Sequence, residues 1–308
     1  MPDQSSPPID DRPSARPIVI AINESGGAAA LAMGRAQAAR NHGELVVASV
    51  VQTPPILAVP ARRELLFPGA AERQVEHRRT RVLTRLLEGD ELTQASLRSI
   101  EVSYGDAAEE IAGIARETDA RLIVMGIGPR PHPSTFASGG TAYETAKLGV
   151  CPVLAVDDAH RQLPRQVVVG MDFTAESANA LATCLPLIAD GATVHLVHVW
   201  WNMEGTAPAD ELQARNAKYL SSLPAEFRRV RASLPPHGLV RFDPVVREGN
   251  VADTLLAVAR EVGAELVVVA SHGYGAMKRM ILGSTSSALL RQAECSVLVV
   301  PPAPEEPA

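Results

Sequence analysis

The chain of 308 residues is long enough for two domains, and its 46% hydrophobic and 21% charged residues are ordinary for a globular protein. A net charge of -6 and only 4% aromatic residues argue against a nucleic-acid-binding surface, which needs basic and stacking side chains. No run approaches the roughly 18 apolar residues of a membrane helix, and residues 1–16 are polar rather than a signal peptide. We therefore expect neither a nucleic-acid partner nor a membrane partner.

Strand-like and helix-like segments alternate along the chain, which predicts a doubly wound α/β fold with parallel sheets. In the first half, strands are predicted at 18–22, 45–51, 100–103, 122–125 and 153–156. In the second half, strands are predicted at 166–171, 194–200, 239–247, 265–270 and 296–300, with helices at 176–189, 210–234, 251–262 and 286–292. Pro186 should shorten its helix and Pro224 should interrupt the long one. Pro244 suits an edge strand.

The two halves repeat each other. Residues 105–126 and 249–270 align without a gap and are identical at eight of 22 positions. Such self-similarity indicates an internal duplication. We therefore predict one domain at 17–157 and a second at 166–302, with a linker at 158–165 and disordered tails at 1–16 and 303–308. Pairing of the final strands, 153–156 with 297–300, would join the domains as an intramolecular pseudo-dimer and protect two exposed edges.

Three cysteines, Cys151, Cys184 and Cys295, show no C-x-x-C spacing, and an odd number cannot pair completely within one chain. They are expected to be small buried apolar residues. This usage predicts a reducing, cytoplasmic setting.

Small and hydroxyl residues follow the fourth strand of the second domain, where a ligand lies in such sheets. Gly273 would let the backbone approach an anion closely. The next helix would offer free amides and the positive end of its dipole. The segment contains Val269, Ala270, Gly273, Gly283, Ser284 and Thr285.

This spacing resembles the G-x2-G-x9-G-S/T signature of the universal stress protein family, with Ala270 in place of its first glycine, and the duplication resembles the tandem-domain members. The resemblance implies strand order 3-2-1-4-5, as in adenine-nucleotide alpha hydrolase-like folds. It also implies that ATP, alone or with Mg²⁺, binds across the strand tips. Met171, Asp172 and Val199 would border adenine and ribose. The ribose and phosphates would be held by Ala270, Gly273, Gly283, Ser284 and Thr285, with Val269 as a neighbouring binding residue.

The corresponding loop of the first domain departs from this pattern, because Pro129 stands where the second domain has Gly273. Proline offers no amide to a phosphate. We therefore predict weak or absent nucleotide binding there, with an anion nest formed by Gly139, Gly140 and Thr141 as the alternative. The residues concerned are Asn23, Val50, Gly126, Gly139, Gly140 and Thr141.

These patterns predict an ATP-binding regulator of the stress response rather than an enzyme, with slow ATP hydrolysis left open and a homodimer as a further expectation. No catalytic residues are assigned. His195 and His198 would point to opposite faces of a strand, so no metal site is predicted. In the alternative readings, the glycines are plain turns of a ligand-free scaffold and Asp172 is a helix N-cap. Ser25-Gly26-Gly27 resembles part of an ATP pyrophosphatase loop but lacks its acidic and hydroxyl members.

One basic segment is also present. Arg78, Arg79 and Arg81 lie within residues 73–85, close to Glu72 and Glu76. This mixed charge predicts a solvated helix face.

Overall fold

The computed structural model describes residues 16–23, 27–41, 43–52, 69–87, 96–127, 140–201, 209–235, 238–271 and 282–303. The first half contains β1 (Ile18–Ala21), α1 (Ala28–Asn41), β2 (Leu45–Gln52), α2 (Ala70–Leu87), β3 (Leu97–Gly105), α3 (Ala107–Glu117), β4 (Leu122–Gly126), α4 (Gly140–Leu148) and β5 (Val153–Val156). The second half contains β6 (Gln166–Gly170), α5 (Ala175–Cys184), β7 (Thr193–Trp200), α6 (Ala209–Ala232), β8 (Arg241–Glu248), α7 (Val251–Val262), β9 (Leu266–Ala270), α8 (Ser284–Gln292) and β10 (Ser296–Val300).

The described strands form one ten-stranded sheet in the order β3-β2-β1-β4-β5-β10-β9-β6-β7-β8. Each half therefore has the predicted strand order 3-2-1-4-5. Within each half the neighbouring strands are parallel. The halves meet at β5 and β10, which pair antiparallel with Leu154 opposite Leu298. The predicted pairing of the two final strands is confirmed.

The sheet is covered on both faces, which explains why its central strands are nearly continuous apolar runs. One core cluster joins the sheet to α1, α2, α5 and α6 through side chains such as Met33, Val82, Leu181 and Phe227. The opposite cluster joins the sheet to α3, α4, α7 and α8 through Ile111, Ala142, Leu255 and Leu289. Alternation along the strands supplies both faces, because successive side chains point to opposite sides.

Two of the three prolines have the predicted effects. The helix containing Pro186 is shortened, since α5 ends at Cys184 and a 3-10 turn follows at Leu185–Leu187. Pro244 lies in β8, at the edge of the sheet. The expected interruption at Pro224 is wrong, because α6 continues through it. Leu223 and Phe227 flank this proline and are buried in the core, so packing offsets the loss of one helical hydrogen bond.

Among the residues that the structure describes, no helix combines the length and the apolar character that a membrane span requires.

Candidate functional site

The candidate site of the second half lies where β6, β7 and β9 end. Met171 and Asp172 follow β6, Val199 lies near the end of β7, and Val269 and Ala270 close β9. Because these strands are parallel, their carboxyl ends meet at one edge of the sheet. Two hydrogen bonds bring the first turn of α8 to this edge. The Gly283 amide donates to the carbonyl oxygen of Ser271 (2.8 Å), and the Ser286 hydroxyl donates to the carbonyl oxygen of Ala270 (2.9 Å).

Gly283 has a packing role that the sequence did not reveal. A Cβ atom at this position would lie 2.9 Å from the carbonyl oxygen of Ser271, closer than real Cβ contacts allow. Its amide is already bonded to that same oxygen. The Gly283 amide therefore already has a partner, and the amides that α8 itself can offer to an anion begin at Ser284.

The start of α8 differs from those of its neighbours. Helices α5 and α7 begin with side-chain caps, from Thr174 and Asn250 respectively. Gly283 precedes α8, and no side chain of the described residues caps that helix. The first amides of a helix have no partner within it and lie at the positive end of its dipole. Ser284 is exposed and Thr285 half-buried, so both lie where an anion can approach.

The Asp172 side chain is held by hydrogen bonds at a position three residues before α5 begins at Ala175. Its Oδ1 atom accepts hydrogen bonds from the Thr174 amide (3.1 Å) and the Thr174 hydroxyl (2.5 Å). The Thr174 hydroxyl oxygen in turn accepts from the Ser177 amide (3.3 Å). The alternative reading of Asp172 as the N-cap is wrong, because Thr174 is the cap. The half-buried Asp172 carboxylate orients that cap at the edge of the sheet.

His198, on β7, makes a hydrogen bond to the backbone at the same edge of the sheet. Its Nδ1 atom lies 2.7 Å from the Met171 carbonyl oxygen, and its Nε2 atom lies 2.6 Å from the Tyr219 hydroxyl. A carbonyl oxygen can only accept, so Nδ1 carries a proton, and in the neutral ring Nε2 accepts from the hydroxyl. Partial burial raises the pKa of Tyr219, which keeps this donor protonated. The sequence does not predict this contact, because Tyr219 lies on α6, 21 residues from His198, and no local pattern links the two.

The backbone of Phe173, between Asp172 and Thr174, is strained. Its φ angle is +64°, in the left-handed region that costs a non-glycine residue about 1–3 kcal/mol. The ring packs against His198, with centroids 4.8 Å apart, and against the edge of Phe227 at 5.0 Å. Aromatic packing therefore holds the turn that presents Asp172.

His195 and His198 lie on opposite faces of β7, as predicted. The Nδ1 atom of His195 lies 2.8 Å from Asp243 Oδ2, and its Nε2 atom lies 3.2 Å from Gln166 Oε1. The two rings therefore have separate partners on separate sides of the sheet.

The first half contains a cavity of about 1440 Å³ at the equivalent edge. It brings together the described residues of the weaker predicted site, namely Asn23, Val50, Gly126, Gly140 and Thr141. Gly139, predicted for the same site, and Gly273, predicted for the second half, lie outside the described residues. A helix wall completes the cavity, from α2 through Arg73, Gln74, His77, Arg78 and Arg81.

The reading of residues 73–85 as a solvated face is wrong for part of α2. Arg79 is exposed, but Arg78 is only 8% exposed, and its Nη1 atom donates to the buried Ser49 hydroxyl at 3.4 Å. Arg81 is exposed yet borders the cavity. The sequence contained a signal for this arrangement, since residues 73, 77 and 81 recur at four-residue spacing on one helix face.

Comparisons with known proteins agree with this fold. The model of the universal stress protein family matches residues 14–157 and 164–301. The chain therefore belongs to the universal stress protein family, with two tandem domains. A universal stress protein of Mycobacterium tuberculosis strain H37Rv is 28% identical over 190 residues, which cover 59% of this chain and 62% of that protein. The match thus spans less than two thirds of that relative.

Other relatives match along most of their length. A universal stress protein of Mycobacterium bovis is 24% identical over 288 residues, covering 89% of this chain and 96% of that protein. Among solved structures, a universal stress protein from Archaeoglobus fulgidus has a TM-score of 0.57 at 16% identity and covers 92% of this chain and 98% of its own. A functionally unknown protein from Pseudomonas aeruginosa has a TM-score of 0.60 at 16% identity and covers 93% and 92%. At 16% identity, these similarities show that the fold is shared.

Proposed function

We propose that the protein is a regulator of the stress response that binds ATP at the candidate site of its second half. The observation on which this rests is the start of α8 beside the ends of β6 and β9, where Gly283 has no side chain to cap the helix and none of the described residues caps it. Helix amides, the dipole and two hydroxyl groups converge there, and this combination suits a phosphate group. The phosphates would meet Ser284 and Thr285, with Mg²⁺ arriving as the counter-ion of ATP.

The adenosine part of the ligand would lie toward β6 and β7. The half-buried Val199 offers apolar surface beside the buried Met171, and the Asp172 carboxylate offers an acceptor for ribose hydroxyl groups. The strained backbone of Phe173 supports this assignment, because strain of this kind clusters at ligand sites. Ala270 and Val269 would close the site along β9.

The proposed role is binding rather than catalysis. ATP would favour one shape or assembly of the protein over another, and partners would recognise the difference. The buried free cysteines support a reducing, cytoplasmic setting. The joined strands β5 and β10 support the description as an intramolecular pseudo-dimer. A homodimer remains a prediction from the sequence.

A charge introduced at Ser284 tests the proposal. Ser284 is exposed at the first position of α8, where an aspartate stabilises a helix by about 0.3–1 kcal/mol. The same carboxylate would repel phosphate. We therefore expect Ser284→Asp to fold at least as stably as the natural chain while losing about tenfold or more in ATP affinity at this site, measured by calorimetric titration with Mg²⁺ and ATP.

Thr141→Asp is the matched control. Thr141 is the second residue of α4 in the first half, so its substitution alters the equivalent helix start. This variant should retain ATP binding in the second half. Unchanged ATP binding by Ser284→Asp, or no binding by the natural chain, would contradict the proposal.

A further inference from the structure

A second cavity, of about 620 Å³, lies at the junction of the two halves. Because β5 and β10 pair antiparallel, the edge where the strands of the first half begin meets the edge where those of the second half end. The first half contributes residues such as Arg121, just before β4, and the second half contributes α5 and the end of β10. None of the residues predicted to bind nucleotide is among the described residues that line it. Its volume and its place between two domains are typical of a small-molecule site, for which roughly 300–1000 Å³ is usual.

Arg121 carries a charge that no described residue neutralises. Its Nε and Nη2 atoms are shielded from solvent, and neither donates a hydrogen bond to any described residue. Burial lowers the pKa of Arg121 below its ordinary value, because the charged form is poorly solvated there. Nη1 is not among the shielded atoms, so it is the nitrogen that a ligand in the cavity can reach. Unpartnered buried donors are rare in native proteins, and packing alone does not explain this one.

The other cations of this cavity already have counter-ions. Arg16 pairs with Asp119, and the Lys147 Nζ atom lies 3.6 Å from a carboxylate oxygen of Glu144. The described residues that line the cavity include no aspartate or glutamate. Arg121 is therefore the lining cation whose charge is left for a ligand, and that ligand must be an anion.

The α5 wall offers neutral hydrogen-bonding groups. Asn179 and Thr183 are four residues apart on α5, so they lie on the same side of that helix. Both are half-buried and line the cavity, and neither side chain has a hydrogen-bond partner among the described residues. Much of the remaining lining is apolar and includes Leu148, Val150 and Val300. A ligand would thus meet a free positive charge, two neutral polar groups and an apolar surface.

We propose that this cavity binds a small organic anion, whose oxyanion group is held by Arg121 and whose apolar part packs between the two halves. Carboxylates and phosphates share the required chemistry, since either accepts hydrogen bonds from a guanidinium group. Asn179 and Thr183 would bind further polar atoms of the ligand.

Such a ligand would touch both halves at once. A molecule that binds the folded chain stabilises it in proportion to its concentration over its dissociation constant, so the anion would strengthen the junction. The proposal goes beyond the ATP site of the second half and does not depend on it, because the residues that carry it are different.

Removal of the Arg121 charge provides the test. Arg121→Met keeps a long apolar side chain and removes the guanidinium group. Arg241→Met is the matched control, because Arg241 is the exposed first residue of β8 and is not among the described residues that line the cavity. Benzoate and phenyl phosphate are the anionic probes, and benzyl alcohol is the uncharged one. Affinities for the full chain are measured by saturation-transfer NMR at low and high salt, and melting temperatures are recorded for every variant.

We expect the natural chain to bind benzoate or phenyl phosphate about fivefold or more tightly than benzyl alcohol, with a smaller difference at high salt. The tighter anion identifies the oxyanion group that the cavity prefers. Arg121→Met should lower the affinity for that anion about tenfold, and Arg241→Met less than about twofold. Arg121→Met should melt at the same temperature as the natural chain or higher, because it removes a charge without a partner. Thr183→Val, which alters the opposite wall, should lower the affinity about threefold.

Four outcomes would overturn the proposal. These are no binding of either anion by the natural chain, equal effects of Arg121→Met and Arg241→Met, no effect of Thr183→Val, and a strongly lowered melting temperature of Arg121→Met with unchanged binding. Ser271 and Leu282 line the cavity and adjoin residues of the ATP site, so Ser284→Asp is also titrated. Loss of the anion from Ser284→Asp but not from Arg121→Met would assign the anion to the ATP site, which overturns this proposal and leaves the proposed function intact.

Discussion

The Nε2 amide of Gln37 donates a hydrogen bond to the carbonyl oxygen of Leu187 at 2.7 Å, although 150 residues separate the two. Gln37 lies on α1 of the first half and Leu187 in the 3-10 turn after α5 of the second. The glutamine side chain is fully buried. The contact thus joins the two halves on the face of the sheet that α1, α2, α5 and α6 cover, in addition to the pairing of β5 with β10.

Removing this amide should destabilise the protein. In Gln37→Leu the Leu187 carbonyl oxygen loses its partner inside the protein, and an unsatisfied buried acceptor costs about 1–3 kcal/mol. The free energy of unfolding, measured by urea titration, should fall by that amount. Gln292→Leu is the control, because Gln292 is exposed at the end of α8 and its substitution should change stability by less than about 0.5 kcal/mol. Equal stabilities of the two variants would contradict the assigned role of Gln37.

An ion pair one helical turn further along α1 should make part of the stability depend on pH. The Arg40 Nη2 atom lies 2.6 Å from Asp190 Oδ1. The hydrogen bond from Arg40, together with its positive charge, lowers the pKa of Asp190 below its ordinary value of about 3.9. A lowered pKa in the folded state means that the stabilisation is fully present above about pH 3.9 and is lost as the pH falls through the folded value.

Melting temperatures of the natural chain and Arg40→Gln measure this effect. The natural chain should melt higher at neutral pH, and the difference should shrink as the solution is acidified below about pH 4. Arg79→Gln, which alters an exposed arginine on α2, should show no such trend. A difference between the natural chain and Arg40→Gln that grows toward acid pH would contradict the assignment.

Much of the fold is predictable from the sequence, because apolar strand runs and the duplication are strong local signals. The runs at 153–156 and 297–300 indicate two exposed edges, and their antiparallel pairing is confirmed. Pro224 shows where local reasoning fails. Its effect on a helix depends on whether neighbours such as Phe227 find a core to pack against, and a sequence pattern does not show that core.

The candidate site is less predictable, because its side chains come together only through the fold. The sequence pattern singles out Gly283, but the reason that a glycine is needed there, a close approach to the Ser271 carbonyl oxygen, depends on tertiary geometry. The contact between His198 and Tyr219 joins a strand to a helix and has no local signature. The buried Arg78 on α2 is a similar case, because the mixed charges of its segment indicate a solvated face and only the fold shows which side is covered.

The three cysteines should be almost unreactive in the folded protein. Burial raises the pKa of Cys151 and of Cys184 to about 12. Cys295 is also buried. A thiol of that pKa is about a thousandfold less ionised at pH 8 than an ordinary cysteine, and the thiolate is the reactive form. We expect negligible alkylation by iodoacetamide at pH 8 in the native state and labelling of all three cysteines after unfolding, with the labelling measured by mass spectrometry.

Arg228→Cys, at an exposed position on α6, adds an internal standard that should react at the rate of an ordinary cysteine. Labelling of Cys151 or Cys184 as fast as this standard would contradict the buried environment that the fold assigns to them.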